Sequence, residues 1–375
     1  MKDFTEYKAV FLCGARDFHA MDWFKSAQSL NPLSKIQIVT DLIQGEGYEK
    51  IVQQNDHVYK LFILDPFLFS QQSKWADSWR NLLKLIVLPL QVILLKRFAR
   101  DNPGHLYHAH SMYYLVLAAL SNVKYIGTPQ GSDILVKPKR SRMFKIFSIY
   151  GLRKAKHLTV DSQMMKEGIM DLVGRTDVSI IQNGFNISNT HLQKKKNAGS
   201  SKKNIPYVYS VRGLTELYDI EAIFRNRHER NLNIPIYLSY PFSESQYKIK
   251  VKAHFIETDL DLGKSSKEDM YEYMTEALVM ISIPWSDSSP RSVYEAIFCG
   301  CPVAISYNKY YEDLPECMKK RIILIKKSDD NWLEKVINLA VDIKAIEYKP
   351  SQEALNIFDQ NESFKIVEKL YQKYL

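Results

Sequence analysis

At 375 residues the chain suits two domains of ordinary size, and 46% hydrophobic with 25% charged residues excludes general disorder. The net charge of +9 calls for an anionic partner or a basic face. The basic runs at 137–145, 153–156 and 194–203 carry no recognisable nucleic-acid motif, so nucleic acid is set aside. A solvated basic face is the bland reading of these runs; an anionic membrane surface is the functional one. Cys13, Cys299, Cys301 and Cys317 lack paired zinc-site spacing and read as reduced thiols of a cytoplasmic protein. The apolar run at 9–13 is too short for a secretory signal, and 85–95 is too short to span a bilayer.

In chain order, apolar runs predict strands over 8–14, 35–41 and 58–64, then a helix over about 75–100. Strands at 106–110 and 124–128 enclose a helix starting at Met112. A helix over 141–153, a strand at 157–160, a helix from Ser162 and a strand at 178–182 complete the first half. Asn183-Gly184 marks a turn, and the polar, lysine-rich segment 191–204 reads as a linker. The second half predicts strands at 207–211, 234–238, 250–255, 278–283, 303–306 and 322–325. Helices near Leu217, Lys267, Ser292 and Asn331 separate most of them. Val367, Leu370, Tyr371 and Tyr374 recur at helical spacing, so an amphipathic helix closes the chain over about 356–375. Such alternation implies mostly parallel sheets covered on both faces, in domains at 1–190 and 204–355. The segment 82–97 has two readings. A helix inside the domain is preferred; the other is a lipid-facing helix beside Lys84, Lys96, Arg97 and Arg100.

The richest stretch is Asp287-Ser288-Ser289-Pro290-Arg291-Ser292-Val293-Tyr294-Glu295. Ser289 suits a cap and Pro290 the first helical position. Val293, Ala296, Ile297 and Gly300 form the buried stripe, and Gly300 stops the helix. The amides of Arg291, Ser292 and Val293, helped by the Arg291 side chain, would meet phosphate oxygens. Glu295 falls off the stripe, at the helix surface, where it would accept from a sugar diol. This arrangement suits a nucleotide-sugar.

Two acids with seven residues between them, followed by Phe298-Cys299-Gly300-Cys301-Pro302-Val303, resemble the donor-site signature of retaining GT-B glycosyltransferases of family 4. Further similarities run in family order: His108-Ala109-His110-Ser111, Gly131-Ser132-Asp133, Ala155 to Ser162, and Asn183-Gly184-Phe185-Asn186. The resemblance implies an α/β GT-B fold of two doubly wound Rossmann-like domains facing a central cleft. It implies that the last helix packs back on the first domain. Its substrates would be a nucleotide-diphosphate sugar and a glycan or lipid-linked acceptor, as in surface polysaccharide or glycoconjugate synthesis. The configuration would be retained, with no cofactor and no metal. The setting would be cytoplasmic, peripheral at the inner face of the cell membrane.

The resemblance also implies roles. Asp287 would contact the donor sugar, Glu295 the ribose, and Arg212 with Arg291 the diphosphate. Gln130 and Asp133 would position sugar. Two positions depart from the family. Gln130 stands where a His is common, and it cannot titrate. His110 either supplies the missing imidazole or is a satisfied strand-end histidine. No Lys follows Arg212 within 214–218, so Arg212 is either the remaining phosphate ligand, the favoured reading, or a surface ion-pair residue. The loop Gly14-Ala15-Arg16-Asp17-Phe18-His19 follows the first strand. Gly14, Arg16, Asp17 and His19 either line the acceptor side or form a plain polar loop. The competing function is a non-catalytic GT-B module that binds nucleotide-sugar or glycan within a biosynthetic complex.

Overall fold

Short runs of Val, Ile and Leu become parallel strands in a computed structural model, which describes residues 8–32, 34–44, 48–49, 52, 57–69, 73–188, 190 and 205–375. The linker expected at 191–204 lies outside those residues. The first sheet contains β1 (Lys8–Leu12), β2 (Lys35–Thr40), β3 (His57–Lys60), β4 (Leu106–His110), β5 (Tyr125–Thr128), β6 (His157–Val160) and β7 (Val178–Ile180). Its order is β3-β2-β1-β4-β5-β6-β7, with parallel pairing throughout. Every residue of β4 and of β6 is buried, as strands covered on both faces require.

The second sheet contains β8 (Val208–Ser210), β9 (Ile236–Ser239), β10 (Leu260–Gly263), β11 (Val279–Ser282), β12 (Val303–Ser306) and β13 (Ile322–Ile325). Its order is β10-β9-β8-β11-β12-β13, again parallel. Each sheet reverses its direction of growth once, between β1 and β4 and between β8 and β11. Open α/β sheets bind ligands outside the carboxyl ends of their strands at such points.

Two compact units result, Met1–Gly184 with Gln360–Leu375, and Phe185–Asp359. Gly184 makes the crossing in the left-handed region, at φ 64°, where a side chain is strained. The final helix is Gln360–Tyr374 and belongs to the first unit. Phe364, Val367 and Tyr371 are buried in a cluster with Trp23 and Phe24. Burying side chains of this size contributes about 1.5–3 kcal/mol each. The Gln360 amide donates to the Asp22 carbonyl at 2.9 Å and to the Ser26 hydroxyl at 2.8 Å. The separate helix Gln352–Phe358 precedes it in the second unit, so the segment expected as one helix is two.

Two expectations in the second sheet are corrected. The segment expected as a strand at 250–255 lies mostly in the helix Ser245–Lys252 and the turn after it. Val251, Ala253 and Phe255 imitate a strand's alternation, but the helix buries Tyr247 and Val251, four residues apart. β10 carried no readable signal. It is an edge strand, with Leu260 41% exposed and no continuous apolar run.

The long helix Lys74–Asp101 begins at Ser73, whose hydroxyl accepts from the Ala76 amide at 3.1 Å. Leu83, Val87, Leu95 and Phe98 are buried, whereas Leu82, Ile86, Leu90 and Ile93 are exposed. The preferred reading of a fully internal helix therefore holds for one face only. Among the described residues no helix is long and apolar enough to cross a membrane.

Candidate active site

In the second unit the helix after Asp287 is Arg291–Phe298, and Pro290 occupies its cap position. Ser289 is not the cap; its hydroxyl lies 3.2 Å from the Tyr294 hydroxyl. The Val293 amide is also not offered outward, because it donates to the Pro290 carbonyl at 2.9 Å. The predicted stop is present. Gly300 has φ 81°, and the Cys301 amide donates back to the Ala296 carbonyl at 3.0 Å.

Glu295 is the main correction here. Expected at the helix surface, it is 1% exposed. Its Oε1 accepts from Lys267 Nζ at 2.6 Å, Tyr271 Oη at 3.0 Å and Arg291 Nε at 3.2 Å. Burial pushes its carboxyl up, and Lys267 and Arg291 outweigh that, leaving it below the ordinary value. The Arg291 guanidinium expected at the phosphate thus bonds the carboxylate one turn along its own helix. Lys267 and Tyr271 gave no signal in sequence, since they reach Glu295 only through packing of the helix Lys267–Glu276.

Arg212 lies just beyond β8, beside the reversal point of the second sheet. Its guanidinium forms an ion pair with Asp287 and donates to the Ser292 hydroxyl at 3.0 Å. It also stacks 4.5 Å from the centre of the Tyr218 ring. Arg212 Nε is buried without a hydrogen-bond partner among the described residues. Asp287 is held by its own amide, which donates to the Asn308 side chain at 3.1 Å. Three residues singled out in sequence, Arg212, Asp287 and Ser292, therefore meet where β8 and β11 part.

In the first unit, Asp17 caps the helix Phe18–Leu30 by accepting from the His19 amide at 3.0 Å and the Ala20 amide at 3.4 Å. Its second oxygen accepts from Gln130 Nε2 at 3.1 Å, joining two loops read separately in sequence. Arg16 is committed to protein partners, the Asp65 carboxylate and the Gln44 carbonyl at 2.8 Å. Asp133 likewise has protein partners. It is buried and accepts from the Met112 amide at 2.8 Å, the Gln130 amide at 3.2 Å and Lys137 Nζ at 2.7 Å. Gly14 is required by packing, since a Cβ there would stand 2.7 Å from the Tyr114 hydroxyl.

His110 is 3% exposed, parallel to Phe11 at 5.7 Å and 4.2 Å from the His108 ring. Burial lowers its pKa from 6.5 to about 4, with Asp17 opposing the shift. It is neutral near pH 7, with Nε2 buried and unpartnered among the described residues. His108 is a core histidine, 2.6 Å from both the Tyr371 and Thr128 hydroxyls.

A cavity of about 600 Å³ gathers Gly14, Arg16, Asp17, Gln130 and Asp133; His19 and His110 are not in its wall. Sequence reasoning missed the group beneath it. Asp41, fully buried, accepts from the Tyr114 hydroxyl and from Gln91 Nε2 at 3.3 Å, with Lys84 Nζ at 3.7 Å. Burial lowers the Lys84 pKa against the pull of Asp41. The one available signal was that Asp41 follows β2 at its carboxyl end. Among the described residues no three His, Cys, Asp or Glu side chains are placed to hold a metal ion.

The two parallel-sheet units have the GT-B fold. The chain is similar to HepE of Anabaena, solved in complex with UDP and glucose: TM-score 0.71, 15% identity, 98% of this chain and 100% of that one. It is equally similar to sucrose-phosphate synthase of Thermosynechococcus elongatus, at TM-score 0.71, 13% identity and 98% of each chain. UDP-GlcNAc 2-epimerase of Neisseria meningitidis, bound to UDP-GlcNAc, matches at TM-score 0.62 and 10% identity, covering 98% of this chain and 100% of that one. At these identities the likeness is one of fold. No protein-family model and no curated protein matches the chain.

Proposed function

We propose that the protein is a glycosyltransferase. It moves a sugar from a nucleotide-diphosphate sugar to a glycan or lipid-linked acceptor, with retained configuration, in surface polysaccharide or glycoconjugate synthesis. The setting is the cytoplasmic face of the membrane, and neither cofactor nor metal takes part. The observation that carries this reading is Arg212, held by Asp287 and Ser292 at the reversal point of the second sheet. A diphosphate arriving there meets a guanidinium already oriented, and the Nε, unpartnered among the described residues, is one more donor. As the bond to the anomeric carbon breaks, negative charge grows on the leaving diphosphate, and Arg212 and Ser292 stabilise it. Asp287, exchanging Arg212 for substrate, faces the sugar hydroxyls. Among the described residues the three partners of Glu295 all fall on Oε1, so Oε2 is the oxygen that would accept from the ribose diol.

A second reading is the non-catalytic GT-B module. It draws support from the commitment of Asp133 and Arg16 to protein partners and from the buried, neutral His110. The first test is thermal stabilisation by a panel of nucleotides and nucleotide-sugars, with Arg212→Ala and Glu295→Gln alongside. One nucleotide diphosphate that stabilises the protein and loses its effect in Arg212→Ala supports the donor site. Stabilisation by none of them defeats it. The fold also carries an epimerase, so turnover is followed as sugar incorporated into acceptor. Binding without incorporation into any acceptor gives the second reading.

A further inference from the structure

The first unit leaves two apolar stripes uncovered. On the helix Lys74–Asp101, Leu82, Ile86, Leu90 and Ile93 follow one another at three- and four-residue spacing, with Ile86 62% and Ile93 63% exposed. On the helix Arg142–Lys154, Met143, Ile146 and Tyr150 share a face, with Ile146 67% exposed. The stripes are not independent. Leu85 of the first helix and Met143 of the second, both exposed, line the same cavity and so flank its mouth.

Charge surrounds this surface. Eight Lys and Arg residues occur from Lys137 to Lys156 with no Asp or Glu among them, and all eight are exposed. Lys96, Arg97 and Arg100 are exposed at the end of the long helix. Arg80 and Arg140 carry the same sign into the cavity wall, beside Leu88 and Phe147, whereas Lys137 and Lys84 there are paired with Asp133 and Asp41. A nucleic acid would satisfy the cations and leave the apolar stripes in water. An anionic bilayer takes both, phosphates against the cations and acyl chains against the Leu, Ile and Met side chains.

We infer that the faces of Lys74–Asp101 and Arg142–Lys154 flanking the cavity dock the first unit on an anionic lipid surface. The cavity, whose wall also holds the carboxylates Asp17 and Asp133, then opens toward the bilayer. The inference rests on this surface and not on the transfer reaction.

The test is co-sedimentation of the full chain, without nucleotide, with vesicles of phosphatidylcholine alone or mixed with phosphatidylglycerol. The wild-type protein should partition onto the anionic vesicles and release them as salt rises. Ile86→Glu with Ile93→Glu, and separately Lys139→Ala with Lys145→Ala, should each weaken partitioning roughly tenfold or more. All four residues are exposed, and unchanged thermal unfolding confirms that the variants fold. Equal binding to both vesicle types, no binding to either, or undiminished binding by both variants overturns the inference. A concentration-dependent dimer abolished by Ile86→Glu also overturns it, since it assigns the face to a second copy. Because nucleotide is absent, failure here is distinct from failure of the donor site.

Discussion

Arg212 and Asp287 are ion-paired at the point where β8 and β11 part, with their side chains 11% and 16% exposed. One residue was read from sequence as a phosphate ligand and the other as a sugar contact. The pair, with the Ser292 hydroxyl, holds the guanidinium in place and compensates its charge; in the proposed function a diphosphate would take the place of the carboxylate.

Arg212→Ala should therefore weaken nucleotide-diphosphate binding by about 10- to 100-fold, the worth of hydrogen bonds to a charged group. Arg212→Lys should recover only part, because an ammonium cannot span Asp287 and Ser292 together. Calorimetric titration measures both; unchanged affinity in Arg212→Ala removes the arginine from the site.

Glu295 differs from Asp287 because it also holds the fold. Glu295→Ala leaves Lys267, Tyr271 and Arg291 without their common acceptor and should cost about 1–3 kcal/mol. Lys267 is half exposed and regains water, which keeps the loss below that of a fully buried pair. Denaturant unfolding gives the number, and a stability equal to wild type would contradict the observed network. Glu295→Gln is the cleaner variant for binding, since it preserves one acceptor oxygen.

His110 predicts a pH dependence of stability. Its folded pKa, about 4, lies below the ordinary 6.5, so the unfolded chain binds the proton first as pH falls. Its stabilising contribution is complete above 6.5 and is lost down to about 4. The change between pH 7 and pH 5 should be about 2 kcal/mol. Comparing unfolding of the wild type and His110→Gln at both pH values isolates this share from that of His108, which burial lowers as well. An identical pH slope in the variant would show that His110 does not supply it.

Gly14→Ala should destabilise the first unit by about 1–3 kcal/mol. The added carbon would meet the Tyr114 hydroxyl at 2.7 Å and Leu42 Cδ1 at 3.0 Å. That hydroxyl is not free to yield, because it donates to the buried Asp41. A neutral effect on unfolding would mean that the Tyr114–Asp41 pair shifts readily.

Much of the architecture was legible because buried parallel strands carry their burial in their own residues. β4, β6, β12 and β13 fall at the expected residues, and the stop at Gly300 follows from its backbone freedom. The strand β10 was not legible, because an exposed edge needs no apolar run. The helix Ser245–Lys252 was not legible either, because Val251, Ala253 and Phe255 fit a strand's alternation.

The sequence by itself determined the parallel α/β alternation and the helix after Asp287 with its stop at Gly300, since each depends on local spacing; the cap it suggested at Ser289 is not the one used. Only the tertiary structure decided what those residues do. Glu295 is buried because the helix Lys267–Glu276 brings Lys267 and Tyr271 over it. Asp133 and Arg16 are committed because Met112 and Asp65 reach them through folding. A carboxylate's availability depends on which donors surround it; Lys137 and Arg291 lie one helical turn away in sequence, but Met112, Lys267 and Tyr271 come from segments whose approach no local pattern encodes.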